Sequence, residues 1–290
     1  MEKIFFFSDS PADLLPEETE GMPYRMVSSS VIYDDGRTIR ETDVDRYEYY
    51  DYLRTCKNIP SHAMGTPEQW SEALAEAVAG GYTHAIICTI SSTASSVYQS
   101  INIAREALEA ENPGALTIEL IDSRQYSMMY GRLILRSLAQ IAEGKSFQEI
   151  IDDLNRSLRR TQAIFGAYSL RCMQKSGRIS GMAAFAGSIM GIKPVLLARD
   201  GLIAPIEKVR GDKNVIPAII NQVKERIVEP EKQDLILLHG SVPAEELDRM
   251  EAMLYEELKP RSVMRHTIGV TVITNSGPET IVVGFLGEPY

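Results

Sequence analysis

Four short apolar runs in the first half of the chain have the length and the β-branched or aromatic content of buried strands: Lys3 to Ser8, Met26 to Tyr33, Thr83 to Ile90 and Leu116 to Ile121. Segments of helical period lie among them, at Asp43 to Cys56, Pro67 to Ala79, about Ala94 to Ala110 and about Gln125 to Glu143. Alternating strand and helix implies a mostly parallel sheet covered on both faces. Thr66, Pro67 and Gln69 supply an N-cap, a first-turn proline and a capping-box partner, and Ser146 with Glu149 opens a second helix that runs to about Arg160.

Beyond residue 160 the pattern changes. Ala163 to Tyr168 and Pro194 to Arg199 have strand character, and Asp200-Gly201 is a hairpin-type turn into Leu202 to Val209. A helix near Asn214 to Ile227, a strand Asp234 to His239 and a helix Pro243 to Leu258 follow. Strand pairs at Thr267 to Ile273 and Thr280 to Phe285 are expected to close the chain. The expected fold is therefore α/β in two domains. Residues 1–160 form an N-terminal, mostly parallel sheet covered by helices, and residues 161–290 form a C-terminal α+β domain with a mixed or antiparallel sheet.

Composition excludes several classes of function. Hydrophobic residues are 44% of the 290, enough for a packed core and unlike a disordered chain. A net charge of −10 argues against a nucleic-acid or anionic-membrane surface, which needs a dense basic face. The three cysteines, Cys56, Cys88 and Cys172, are odd in number and lack CxxC spacing, so neither a disulfide framework nor a zinc site is expected. The apolar start after Met1 is interrupted by Asp9 too early for a signal peptide, and no run of about 18 apolar residues offers a membrane span. A cytoplasmic protein with at most transient membrane contact is the expectation.

Ligands of open parallel sheets collect at the carboxyl ends of strands. Three such ends carry polar clusters: Ser8-Asp9-Ser10, Ser91 to Ser96, and Asp122-Ser123. Hydroxyls and free N–H groups at a helix start suit a carboxylate or phosphate, although each cluster alone is equally an ordinary cap. No GxGxxG, complete phosphate loop, GxSxG elbow or HExxH is present, and the four histidines share no helix face. No catalytic residue, metal or cofactor is therefore expected. His84 lies in an apolar strand and has a structural reading, whereas His62 precedes a capped helix and is placed to reach the sheet edge. Met182 to Met190 is a run of small and soft apolar residues, either a buried core helix or the wall of an apolar tunnel through Met182, Phe185, Ala186, Ile189 and Met190. The basic residues Arg178, Lys208, Arg210 and Lys213 are either surface charges or a docking patch.

Together these markers resemble the DegV family over nearly the whole length. They are Ser8-Asp9-Ser10 with Asp13-Leu14, Ile90-Ser91-Ser92 with Ser95 and Tyr98-Gln99-Ser100, and Ile121-Asp122-Ser123 with Ser127 and Gly131. Gly177-Arg178-Ile179-Ser180, Ile192-Lys193-Pro194, Glu207-Lys208-Val209-Arg210 with Lys213, and Gly277-Pro278 complete the set. The resemblance implies a carrier without catalysis of its own. Such a protein buries a long-chain fatty acid between two domains and presents the carboxylate to a separate fatty-acid kinase for acyl-phosphate formation. A hydrolase or phosphotransfer enzyme using the same cleft, and a non-catalytic lipid sensor, are the alternatives. Carried over by position, the head-group residues are Ser91, Ser92 and Ser95. His62 stands where the family has Thr, and Asn275 where it has His. The glycine after the Gly-Pro pair is Glu279, and Ser96-Val97 replaces a Gly-Thr. The two head-group departures either form a paired exchange that keeps one imidazole and one neutral donor, or mark a different head group or a paralogue that no longer serves the kinase.

Overall fold

The computed structural model of the chain describes residues 2–178 and 191–290. In chain order the first part contains β1 (Ile4–Asp9), α1 (Pro16–Thr19), β2 (Tyr24–Val27), β3 (Ser30–Ile32), β4 (Thr38–Arg40), α2 (Arg46–Thr55), β5 (Ser61–Ala63), α3 (Pro67–Ala79), β6 (His84–Thr89), α4 (Val97–Glu111), β7 (Thr117–Asp122), α5 (Met128–Ala142) and α6 (Phe147–Leu158). The second contains β8 (Thr161–Ala167), α7 (Arg171–Ser176), β9 (Ile192–Arg199), β10 (Leu202–Arg210), α8 (Val215–Lys224), β11 (Asp234–His239), α9 (Ala244–Leu258), β12 (Ser262–Thr267), α10 (Val270–Ser276) and β13 (Thr280–Leu286).

The apolar runs Ile4–Asp9, His84–Thr89 and Thr117–Asp122 pair in parallel, with β2 on the outer edge, in the order β2-β1-β6-β7. A small antiparallel sheet, β4-β3-β5, lies beside it and carries His62. A six-stranded sheet in the order β10-β9-β8-β13-β11-β12 is antiparallel except for the β11–β12 pair. Strict alternation divides its two faces, as the two-residue period requires. Ile164, Val195, Leu235, Leu237, Ile281 and Val283 pack under α8 and α9, while Ala163, Phe165, Leu196, Ala198, Ile236, Leu238 and Val282 turn towards the first half of the chain. The α/β architecture, with a parallel four-stranded sheet and a separate mixed sheet, is as expected.

Three expectations are corrected. Met26 to Tyr33 is two strands in two sheets, because the Ser29 N–H bonds Ser10 Oγ at 2.9 Å and its hydroxyl bonds Glu41 at 2.5 Å, breaking the run. The expected strand from Thr267 to Ile273 ends at Thr267, and the β-branched residues after Gly269 form α10. Carboxylates from elsewhere in the chain take up that helix's first N–H groups: Gly269 N–H donates to Asp13 at 2.8 Å and Thr271 N–H to Glu41 at 2.7 Å. Helix α4 begins at Val97 and not Ala94, since Ala94 N–H closes a turn on Ser91 and the Ser95 hydroxyl accepts Val97 N–H at 3.2 Å. The tunnel residues Met182, Phe185, Ala186, Ile189 and Met190 lie outside the described residues.

Candidate functional site

Between the segments that follow β6 and β7 and the inner face of the six-stranded sheet lies a cavity of about 810 Å³. Its apolar wall includes Ile90, Met129, Phe165, Leu238, Ile268 and Val282. Its polar wall brings together β5, the start of α4 and the helix α10, through His62, Ser95, Ser96, Thr271, Thr274, Asn275 and Ser276. Lys175 and Arg178, both exposed, also line it.

His62 is held on both sides by α10. Its Nε2 is 2.9 Å from the Thr274 hydroxyl and its Nδ1 is 3.2 Å from the Thr271 hydroxyl. Thr274 donates its own proton to the Val270 carbonyl at 2.7 Å, and its oxygen also faces the Tyr49 hydroxyl at 2.7 Å. That pattern of partners assigns the imidazole proton to Nε2. Thr271 donates to Glu41 at 2.8 Å, and Glu41 also accepts from Ser10 and Ser29, each at 2.5 Å. Burial pushes the His62 imidazole below its ordinary value; Glu41 opposes that and the Arg178 charge adds to it. Burial thus favours the neutral ring, whose Nε2 donates to Thr274, while Nδ1 faces the oxygen of Thr271, whose one proton goes to Glu41.

Two further buried carboxyls lie behind the site. Asp9 accepts the Ile90 N–H at 3.1 and 3.2 Å and the Tyr130 hydroxyl at 2.7 Å, and burial pushes its pKa up to about 7. Asp13 is pushed up to about 6 by burial, against the opposing charge of Arg46, and accepts from Ser127 and Gly269. A side chain at Gly269 would put its Cβ 1.9 Å from Asp13 Oδ1, so only glycine permits this approach.

The serine turn has a different role from the one expected. Ser91 and Ser92 do not line the cavity among its described residues. Ser91 is buried against Thr93, and Ser92 is tied to Asp122 through its N–H at 3.1 Å and its hydroxyl at 2.5 Å. Thr93 and Tyr126 both donate to the Gly201 carbonyl, at 2.5 and 2.7 Å, while Gly201 N–H bonds the Arg124 carbonyl at 2.8 Å. The turn thus grips the tip of the β9–β10 hairpin. Of its serines, Ser95 and Ser96 reach the cavity at the N-terminus of the 15-residue α4, where the helix dipole favours an anion.

His62 and Asn275 do meet at the same cavity, Asn275 Nδ2 bonding the Thr271 carbonyl at 2.8 Å. Of the basic residues, Arg178 lies on the cavity wall, whereas Lys208, Arg210 and Lys213 are exposed elsewhere on the chain. Sequence reasoning missed Glu41, Thr271, Thr274 and Ser276. The Thr271–Thr274 spacing on one helix face was the available signal, hidden because that segment reads as a strand. His84, bonded to Thr83 at 2.8 Å and packed on Phe147, is remote from the site. Among the described residues no group of three His, Cys, Asp or Glu forms a metal site, and no helix is long and apolar enough to cross a membrane.

The family model of the DegV family, described as uncharacterised proteins, matches residues 3–288. A DegV domain-containing protein of Caldanaerobacter subterraneus subsp. tengcongensis is 30% identical over 286 residues, covering 98% of this chain and 99% of its own. The fatty acid binding DegV family protein of Streptococcus agalactiae superposes with a TM-score of 0.86 at 24% identity, covering 99% of this chain and 100% of its own. A stearic-acid-binding protein of Eubacterium ventriosum gives a TM-score of 0.84 at 23% identity, covering 99% of this chain and 98% of its own. At these identities the two superpositions show the fold.

Proposed function

The chain belongs to the DegV family, and from that premise we propose that its cavity holds one long-chain fatty acid, carboxylate towards α10 and chain along the apolar wall. The observation that carries this reading is a cavity of about 810 Å³ lined both by hydroxyl, amide and imidazole groups and by Ile, Met, Phe, Leu and Val side chains. A drug-sized ligand site spans roughly 300–1,000 Å³ and combines apolar walls with a few placed polar groups. The structural relatives from Streptococcus agalactiae and Eubacterium ventriosum bind a fatty acid and stearic acid, respectively. Burying about 16 methylenes at roughly 0.8 kcal/mol each contributes on the order of 13 kcal/mol, part of which offsets the ordering of chain and ligand. The polar wall then sets orientation more than affinity.

In this reading the cavity lies between two domains, residues 1–160 and 161–290. Ser95 and Asn275 face the carboxylate, His62 orders the threonines beside it, and the protein is a carrier without catalysis of its own. It presents the carboxylate to a separate fatty-acid kinase. Arg178 stands beside the cavity, and the exposed Lys208, Arg210 and Lys213 supply a docking patch on an acidic chain. Native mass spectrometry of the purified protein, followed by lipid extraction, tests the carrier reading. One acyl chain per monomer is expected; an empty cavity together with turnover of an ester or a phosphate would overturn it.

A further inference from the structure

Almost every polar group named on the cavity wall already has a partner. Both His62 nitrogens face threonine hydroxyls, Thr280 donates to the carbonyls of Ser276 and Gly277 at 3.0 and 2.8 Å, and Tyr126 donates to Gly201 at 2.7 Å. Ser127 is taken by Asp13, and Ser176 donates to the Met173 carbonyl at 3.1 Å. Among the buried polar side chains that line the cavity, Ser276 is the exception. It is 7% exposed and its Oγ has no hydrogen-bond partner among the described residues.

A buried hydroxyl without a partner carries its full desolvation cost, so folded proteins rarely retain one without a reason. Ser276 is the last residue of α10, next to Asn275, and both line the cavity. Asn275 uses one amide hydrogen on the Thr271 carbonyl and keeps the other. Ser95 Oγ accepts from Val97 N–H and retains its own proton to donate. The unspent hydrogens on this wall are donors, and a carboxylate is an acceptor with about four lone-pair sites. We propose that Ser276 Oγ donates directly to the head-group carboxylate of the bound lipid, sharing it with Asn275 and Ser95. The direct grip is then made by three neutral donors, with the imidazole behind them. This inference rests on the fatty-acid reading of the cavity.

The test is Ser276→Ala in the full chain, with both proteins stripped of lipid and titrated with palmitic acid and with methyl palmitate. A hydrogen bond to a charged group predicts a loss of roughly tenfold or more for the acid. The ester, whose carbonyl accepts only a neutral hydrogen bond worth about half as much, should lose clearly less, roughly two- to fivefold. The ligand-free variant should melt at or above the wild-type temperature, because it no longer buries an unpaired hydroxyl. Unchanged acid affinity in the variant, or equal losses for acid and ester, would overturn the Ser276 assignment and leave the fatty-acid reading standing. A wild-type protein that takes up no palmitate would overturn both.

Discussion

Replacing Asp9 by Asn probes the buried carboxyl that braces the serine turn through the Ile90 N–H and Tyr130. Burial raises its folded pKa to about 7, from an ordinary 3.8. A carboxyl raised on folding binds its proton more tightly in the folded state. Its contribution to stability is therefore complete below pH ~4 and lost as the pH rises through about 7. About three pH units at ~1.36 kcal/mol each give a total on the order of 4 kcal/mol, of which roughly 2–3 kcal/mol falls between pH 5 and pH 8. Asparagine keeps an acceptor oxygen for Ile90 and Tyr130 but does not titrate. Urea unfolding of both proteins at pH 5, 6, 7 and 8 measures the difference. The variant should gain on the wild type steadily as pH rises, by roughly 2–3 kcal/mol over that range. Asp13 is present in both proteins, so its own titration cancels in the difference. Parallel pH profiles would refute the reasoning.

Other substitutions address the latch and the polar wall. Gly201 has φ +75°, and a Cβ there would lie 2.7 Å from Ser91 Oγ, so Gly201→Ala should cost about 1–3 kcal/mol in chemical unfolding. A variant as stable as the wild type would mean that the hairpin tip is not gripped as described. Thr274→Val keeps the shape but removes the acceptor of Tyr49 and His62, and unfolding should show a loss of roughly 2–4 kcal/mol. His62→Thr, Asn275→His and the double variant form a cycle on palmitate affinity. A paired exchange predicts that the double variant binds more tightly than the two single losses combined predict, and additivity within about 0.5 kcal/mol would show the sites to be independent.

Features governed by neighbouring residues were legible in the sequence. The helix at Pro67–Ala79 starts where Thr66 and Gln69 cap it, and the one at Phe147–Leu158 starts after the box of Ser146 and Glu149. The buried strands Ile4–Asp9, His84–Thr89 and Asp234–His239 follow from apolar runs bounded by polar residues. The polar clusters do stand at the carboxyl ends of β1, β6 and β7, but of their residues only Ala94, Ser95 and Ser96 line the cavity. Which hydroxyls are free was not legible, since that depends on partners far along the chain. The Ser91–Thr93 turn is spent on Gly201, 108 residues from Thr93.

The same reason explains the largest error of pattern and the composition of the polar wall. Val270-Thr271-Val272-Ile273-Thr274 has strand propensity, and no residue beside it supplies a side-chain cap. Its helix is started by Asp13 and Glu41, 256 and 230 residues away. Once the segment is helical, Thr271 and Thr274 fall on one face and His62 fits between them, while Asn275 and Ser276 come to the cavity. As a strand, the segment would send Thr271 and Thr274 to opposite faces, and this grip on His62 could not form. The carboxylates that cap α10 therefore also determine which donors a ligand meets. Loss of Glu41 should disturb His62 and the helix start together, because one side chain holds both.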